Sequence, residues 1–454
     1  MKDPYTLKRH FFESGKTRDY QFRLDQLQRL KSSIQKYEDD IIEALQLDLG
    51  KPLFEAYTAE IGIVYEELNI AIKNLRSWMR RRKVSTPIFL FPSSSYILPE
   101  PKGVVFIISP WNYPFQLIIS PLIGAIAAGN CAVLKPSNQS KATENIIAKL
   151  IEDTFDEEYI SLIRGSGSEV VEPLIDNYRF DHIFFTGSVN VGKKILKHSA
   201  KHLTPTTLEL GGKSPSIVFK DADLDLAAKK IAWAKYYNLG QTCVAPDYLL
   251  VDEDIKDQLI KKIKEYIVFY HGKNPGQSKN LGKLINEKRF DRLIELMKGD
   301  IVYGGQADKH DLFIYPTIID NVSTEDEIMS EEIFGPLLPV LTFENKEEIL
   351  DIVRKNKYPL ALYMFTKDKS NEDFILENIE FGGGCINDII SHLVNPKLPF
   401  GGIGPSGMGE YHGKYTFETF SHMKSIFKAG IFETNLKLPP YSDLKLKLAK
   451  FFMK

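Results

Sequence analysis

The chain has 454 residues, 43% of them hydrophobic and 26% charged, with a formal net charge of -2. Such a length and balance predict a soluble globular protein of two or three domains, and the near-neutral charge excludes a global field that would draw it to nucleic acid. The three cysteines, Cys131, Cys243 and Cys385, lie far apart with no Cys-x-x-Cys pair or Cys/His cluster, which predicts no metal site and suits a reducing cytoplasm.

The N-terminus is polar, without the apolar run of a signal peptide. No apolar stretch reaches the ~18 residues that a membrane span needs. Leu27, Leu30, Ile34, Tyr37, Ile41 and Leu45 recur at helical spacing and predict one helix over 20–48. Ile61, Tyr65, Leu68, Ile72 and Leu75 repeat the pattern over 54–80, and the basic tract 80–83 reads as a solvated helix end. Two short apolar runs, 87–92 and 95–98, are separated by serines and predict a β-hairpin. A lone hairpin is marginal in water, so it is expected to pack on this chain or on another subunit.

From 103 onward the texture changes. Strands at 104–108, 132–134, 160–163 and 183–185 alternate with helices at 116–128, 140–154, 168–176 and 190–201, the mark of βαβ units around a parallel sheet. A second alternating stretch, 215–390, carries strands at 216–219, 248–251, 337–343 and 361–365. The fold expected is α/β, two domains with one inserted hairpin. At the end, Leu444, Leu448, Phe451 and Phe452 alternate with Lys445, Lys447, Lys450 and Lys454. That tail is too short and too basic to span a bilayer. It reads either as an amphipathic helix on an anionic membrane surface or as a segment docked on the protein itself.

Two glycine-rich segments compete as a nucleotide site. Gly402, Gly404 and Gly407 match G-x-G-x-x-G, but Pro399 precedes the match, Pro405 interrupts it and no βαβ units follow. The better candidate is Thr186-Gly187-Ser188-Val189-Asn190-Val191-Gly192, directly after a predicted strand. Gly187 allows close backbone approach, and free N–H groups of the helix that follows suit an anion; a plain capped helix start reads equally well. Cys243 follows a small-residue turn, Asn238-Leu239-Gly240-Gln241-Thr242, where a core cysteine is the ordinary reading. Upstream, Leu208-Glu209-Leu210-Gly211-Gly212-Lys213-Ser214-Pro215 sets a carboxylate in an apolar run, where it needs a partner or a raised pKa.

These last two segments resemble signature motifs of the aldehyde dehydrogenase superfamily. So do Pro110-Trp111-Asn112-Tyr113-Pro114-Phe115, Phe185-Thr186-Gly187-Ser188 and Glu332-Ile333-Phe334-Gly335-Pro336. Cys243-Val-Ala-Pro-Asp-Tyr248, Leu398-Pro-Phe-Gly-Gly402 and Ser406-Gly-Met-Gly-Glu-Tyr-His-Gly413 are similar to its class-three type. The resemblance implies an aldehyde-dehydrogenase-like fold. A Rossmann-like NAD(P) domain would cover 1–82 and 100–209, and an α/β catalytic domain 210–400. An oligomerisation arm of 83–99 and 423–431 would make a homodimer, followed by a tail at 432–454.

The resemblance also implies roles. Cys243 would be the nucleophile, Asn112 and the Cys243 N–H the oxyanion donors, and Glu209 the base that activates water. NAD or NADP would lie against Trp111, Lys135, Asn138, Thr186, Gly187, Ser188, Gly192, Leu210, Glu332 and Phe334. A small-molecule aldehyde would lie against Tyr65, Tyr113 and Trp233, aromatics that serve as core equally well. His412 reads as a proton relay or a structural hydrogen bonder. Of the rivals, a coenzyme A-acylating relative lacks the glutamate found at Glu209, and a cysteine hydrolase needs a paired histidine in a motif that none of the nine histidines supplies. A non-enzymatic role leaves the set Asn112, Glu209 and Cys243 without a purpose.

Overall fold

The computed structural model describes residues 3–430 and 438–453. Its first strands, β1 (Arg82–Val84) and β2 (Ser94–Pro101), pair antiparallel. Next come β3 (Val104–Ile108), β4 (Cys131–Lys135), β5 (Ile160–Leu162), β6 (His182–Thr186) and β7 (Thr206–Glu209). They form a parallel sheet in the order β7-β6-β3-β4-β5. Every residue of β3, β4 and β6 is buried, as expected of strands covered by helices on both faces.

The second sheet begins with β8 (Pro215–Val218) and β9 (Tyr248–Asp252), then β10 (Asp300–Tyr303). A small ribbon of β11 (Ala307–Asp308) and β12 (Phe313–Ile314) intervenes before β13 (Thr317–Asp320), β14 (Leu337–Phe343), β15 (Ala361–Phe365) and β16 (Gly383–Ile386). Its order is β10-β13-β14-β9-β8-β15-β16, antiparallel only where β10 meets β13. The chain then returns: β17 (Gly407–Met408) pairs antiparallel with β7 in the first sheet. Finally β18 (Ser421–Lys428) pairs with the whole length of β2.

Several expectations need correction. The helix read over 20–48 is two, Tyr20–Lys36 and Glu38–Leu49, because Tyr37 leaves helical geometry and Glu38, Asp39 and Asp40 open a new first turn. The pattern at 54–80 breaks into Leu53–Ala56, a wide π turn Tyr57–Gly62 and the helix Ile63–Trp78. The wide turn carries Glu60, whose carboxylate is used in the interior, as described below. The run 87–92 is no strand: Ile88–Leu90 is a single 3-10 turn, and the tract read as a solvated helix end supplies β1 instead. Pro87 and Pro92 have no N–H to give a ladder.

Glycine-rich β16 and the short β10 and β13 carry too little apolar alternation to be read in sequence. In the tail, residues 431–437 and 454 lie outside the described residues. The helix Asp443–Met453 buries none of its residues, so it does not dock on the protein's surface. Leu444, Leu448, Phe451 and Phe452 fall on one side of this helix, while Leu446 falls on the other. No helix among the described residues is long and apolar enough to cross a membrane.

Candidate active site

Sheet order places the site. The chain winds outward from β3 to β5 on one side and through β6 to β7 on the other, so the connections diverge between the C-terminal ends of β3 and β6 and leave a crevice there. Trp111, Asn112 and Tyr113 follow β3, Lys135 and Asn138 end and follow β4, and Thr186, Gly187 and Ser188 end and follow β6. Glu209 and Leu210 close β7. The N–H of Gly187 donates to the Glu209 carbonyl at 3.0 Å, locking these two strand ends together.

The helix Val189–Ser199 starts at Ser188, whose side chain makes no capping bond, so its first-turn N–H groups face the crevice uncapped by that hydroxyl. The buried Thr186 Oγ1 has no partner among the described residues. A Cβ added at Gly192 would lie 2.7 Å from Leu210 Cδ2, so the glycine lets this helix pack close to the end of β7. An uncapped helix start after a parallel strand, with an unpartnered hydroxyl beside it, fits the pyrophosphate of a dinucleotide. Lys135 is buried, with Nζ 2.7 Å from the Pro136 carbonyl, and Asn138 is exposed beside it.

Cys243 ends an unusual turn. Asn238, Leu239 and Gly240 all have left-handed backbones, with φ of 49°, 52° and 75°. Two of them are not glycine, a strain that must be held by surrounding contacts. The Asn238 amide donates to the carbonyls of Asn112 and Gln241, each at 3.1 Å. The Gln241 side chain donates to the carbonyls of Asn238 and Lys283 and accepts from the Ile285 N–H. Beyond the cysteine, the Tyr363 hydroxyl donates to the Val244 carbonyl at 2.7 Å.

Asn112 is 3% exposed, and its Nδ2 donates to the Gln241 carbonyl at 3.0 Å. An amide nitrogen carries two hydrogens, so that bond leaves one free. The segment after Asn112 is held by Glu60, whose carboxylate accepts the N–H groups of Phe115 and Gln116 and pairs with buried Lys51. The Lys51 ammonium lies 4.0 Å from the centre of the Tyr113 ring.

The thiol of Cys243 keeps some exposure. Burial pushes it up to about 12, helped by the negative charges of Glu332 and Glu209 and opposed by the N–H groups of Cys243 and Val244 directed at the sulfur. Both carboxylates therefore act electrostatically on the cysteine. Glu209 is buried and neither oxygen has a partner among the described residues. Burial, then the Glu410 charge, raises its pKa well above the usual range. Glu332 lies over Gly211, where an added Cβ would fall 2.1 Å from its Oε2. Burial and Asp247 push it up to about 8, against the pull of Arg289. The Phe334 and Trp111 rings meet edge to face at 5.4 Å, with the Arg289 guanidinium over both.

Lys213 of the Gly-Gly-Lys run is a tether. It pairs with Asp247 and donates to the carbonyls of Ile328 and Glu331, while Asp247 accepts the Ile333 N–H. This cluster fixes the segment that presents Glu332 and Phe334.

The aromatic candidates separate. Tyr113 is buried beside the cysteine turn, its hydroxyl 2.6 Å from Thr242 Oγ1. Trp233 is 39% exposed and meets Tyr237 edge to face at 5.5 Å. Tyr65 donates its hydroxyl to Glu38 at 2.7 Å, tying two helices together. His412 is buried, bonds Glu67 through Nδ1 and stacks on Tyr411, whose ionisation is opposed by burial and then by the charges of Glu209 and Cys243. The Gly402–Gly407 match is conformational: it turns the chain so that Gly407 sits opposite Glu209 on β7. Sequence reasoning missed Lys51, Glu55, Glu60, Asn238, Tyr237 and Arg289. The signal available was the carboxylates at 55 and 60 within a helical segment, with a lysine at 51 just before it.

A crevice at the switch point of a doubly wound sheet, facing a cysteine turn from a second α/β unit, defines a dinucleotide-type oxidoreductase fold. The chain belongs to the aldehyde dehydrogenase family, whose sequence profile matches residues 9–426. It is an aldehyde dehydrogenase. It is 47% identical over 448 residues to the 4,4'-diaponeurosporen-aldehyde dehydrogenase of Staphylococcus aureus, covering 98% of this chain and 97% of that one. Aldehyde dehydrogenase family 3 member A2 of Macaca fascicularis is 42% identical, with 98% and 92% covered. Among solved structures, a substrate-bound Staphylococcus aureus AldH superposes with a TM-score of 0.96 at 46% identity over 99% of both chains. A glyceraldehyde-3-phosphate dehydrogenase from Methanocaldococcus jannaschii complexed with NADP gives 0.84 at 28% identity, covering 93% of each. An indole-3-acetaldehyde dehydrogenase complexed with NAD+ gives 0.85 at 28% identity, over 93% of this chain and 87% of that one.

Proposed function

We propose that this chain oxidises apolar aldehydes, aliphatic or aromatic, to carboxylic acids, with Cys243 as nucleophile and NAD or NADP as cofactor. The observation that carries the reading is the convergence of Asn112, Cys243 and Glu209, from three separate segments, on one crevice. The Cys243 thiolate adds to the aldehyde carbon, and the carbonyl oxygen becomes an alkoxide. The free Asn112 N–H and the Cys243 N–H stabilise that charge. NAD or NADP, held at its nicotinamide end by Trp111, Glu332 and Phe334, would supply the hydride acceptor, so that the carbonyl re-forms with loss of hydride. This leaves a thioester on Cys243. Glu209 then takes a proton from water, the hydroxide adds to the thioester carbon, and the sulfur departs as thiolate.

Trp111, Glu332 and Phe334 hold the nicotinamide end, and Thr186, Gly187, Ser188, Gly192 and Leu210 the pyrophosphate. Lys135 and Asn138 lie at the adenosine ribose. Tyr113 and Trp233 line the aldehyde's approach. One relative named above is a 4,4'-diaponeurosporen-aldehyde dehydrogenase, and Trp233, exposed beside Tyr237, supports an apolar substrate class. A panel of aliphatic, aromatic and polar aldehydes, followed by absorbance of the reduced cofactor with and without coenzyme A, tests the reading. Preference for polar aldehydes, or dependence on coenzyme A, counts against it. In domain terms, 1–82 and 100–209 serve the cofactor and 210–400 supplies the nucleophile.

NADP is expected to be used at least comparably to NAD. Position 138 holds an asparagine, and the neighbouring cation Lys135 suits a 2′-phosphate. A glutamate there would repel the phosphate: two like charges ~4 Å apart at an effective dielectric of 20 repel by ~4 kcal/mol before screening. The ratio of kcat/KM for the two cofactors, in wild type and Asn138→Glu, measures this. A wild type preferring NAD by more than about a hundredfold, or an unchanged ratio in the variant, removes Asn138 as the determinant.

A homodimer through 83–99 and 423–431 is the second expectation. The β1-β2-β18 sheet ends on β18, and Ile88 and Phe91 of the arm are 74% and 75% exposed. An open edge beside exposed apolar side chains calls for a covering partner. Light scattering at micromolar concentration checks it, and a monomer rejects it.

A further inference from the structure

We propose that Asn238, braced by Glu55, is a positioning residue that aims the Asn112 amide at the developing oxyanion; the proposal rests on the role given to Asn112 above. Asn238 is 1% exposed and left-handed. Its side-chain amide spends its two hydrogens on different segments, one on the Asn112 carbonyl and one on the Gln241 carbonyl. The Gln241 carbonyl also receives the Asn112 amide. One carbonyl thus gathers both amides, and Asn238 returns a bond to the backbone of Asn112 itself. The result is a closed loop of hydrogen bonds, Asn238 to Asn112 to Gln241 and back to Asn238, two residues before the nucleophile. Within it the Asn112 amide cannot rotate without breaking its bond to Gln241, so its second hydrogen has one direction.

The loop is fastened from outside. Glu55, 9% exposed on the turn Leu53–Ala56, accepts the Asn238 N–H at 3.0 Å. That bond fixes the first residue of the left-handed run, which is otherwise strained. On the far side of Asn112, the Glu60 carboxylate, paired with Lys51, accepts the Phe115 and Gln116 N–H groups. One short stretch of chain, from Lys51 to Glu60, therefore grips both walls of the oxyanion site. The buried Asn238 Oδ1 has no partner among the described residues, so the two donated bonds are what hold the side chain.

Asn238→Gly is the informative variant, because glycine keeps the left-handed backbone at little cost and removes only the amide. Asn238→Asp, of the same shape but without the donor hydrogens, is the second. In the full-length enzyme with a saturating cofactor and hexanal as substrate, each is expected to lower kcat by about tenfold or more. The KM for hexanal and the cofactor Kd should stay within about threefold, since neither ground-state site is touched. In the Asn112→Ala background the further loss should vanish, because residues acting through one group are not additive.

A kcat within about twofold of wild type in both variants overturns the proposal, as does a loss that multiplies with that of Asn112→Ala. The second outcome would mark a merely structural role and would leave the Asn112 assignment standing. Full activity in Asn112→Ala itself would remove that assignment and this proposal together.

Discussion

Cys243→Ser is expected to lower dehydrogenase activity more than about a hundredfold, a margin of ~3 kcal/mol in the barrier, with NAD(P) binding nearly intact. A serine hydroxyl is far less ionised than a thiol at neutral pH, so the attacking anion is lost while the shape of the turn survives. The turn's geometry is set by Asn238, Gln241 and Tyr363 and owes nothing to the sulfur. The residues proposed for the cofactor lie on other segments of the chain, which the substitution does not touch. A serine variant keeping more than about a hundredth of the wild-type rate would show that another group attacks the aldehyde.

The same site predicts a pH signature. With the thiol pushed up to about 12, the thiolate fraction of the cofactor-free enzyme grows with pH across the whole neutral and alkaline range. Alkylation of Cys243 by iodoacetamide should rise accordingly. At pH 9, above the value of about 8 to which Glu332 is pushed, that carboxylate is ionised and opposes the thiolate. Glu332→Gln should then react faster than wild type.

Glu209→Gln is expected to give a burst of reduced cofactor followed by turnover slowed about a hundredfold, the ordinary scale for loss of a general base. Glutamine keeps the shape but cannot take a proton from water. Hydride transfer precedes that step, so one equivalent of cofactor per active site is reduced as the thioester accumulates. The environment of Glu209 supports this division. No described group neutralises its carboxylate, and burial raises its pKa well above the usual range. Once ionised it is a stronger base than an ordinary carboxylate. Steady-state turnover of the wild type should therefore climb as pH rises through the titration of Glu209, and the glutamine variant should lose that rise. Stopped-flow absorbance of the reduced cofactor measures burst and turnover together. A variant with normal steady-state turnover would place the base elsewhere.

The local parts of this protein were legible from sequence because they report local burial. Uninterrupted apolar runs marked β3, β4 and β6, and the turn Thr186-Gly187-Ser188 after β6 marked a helix start, though sequence offered Ser188 as its cap and the structure leaves that hydroxyl without a capping bond. The motifs around Asn112, Glu209, Cys243 and Glu332 carried the family reading without any coordinates. What they could not convey was how those segments are held in place. Periodicity says that a position is buried, and it is silent on which distant group satisfies a buried charge. Lys213, which sequence shows only as the residue after two glycines, is consumed by Asp247 and two carbonyls.

The helix pattern at 54–80 hides a wide π turn, which exists because Glu60 is needed by backbone amides more than fifty residues away. Strand order is likewise a property of the assembled sheet. Only the return of β17 to β7, nearly two hundred residues downstream, seats the glycine turn of Gly402–Gly407 beside Glu209. The sequence by itself determined the chemistry available and the elements that carry it. The tertiary structure alone decided which buried charges pair and which carboxylate stays unpaired, because those choices depend on neighbours that only folding brings within hydrogen-bond reach.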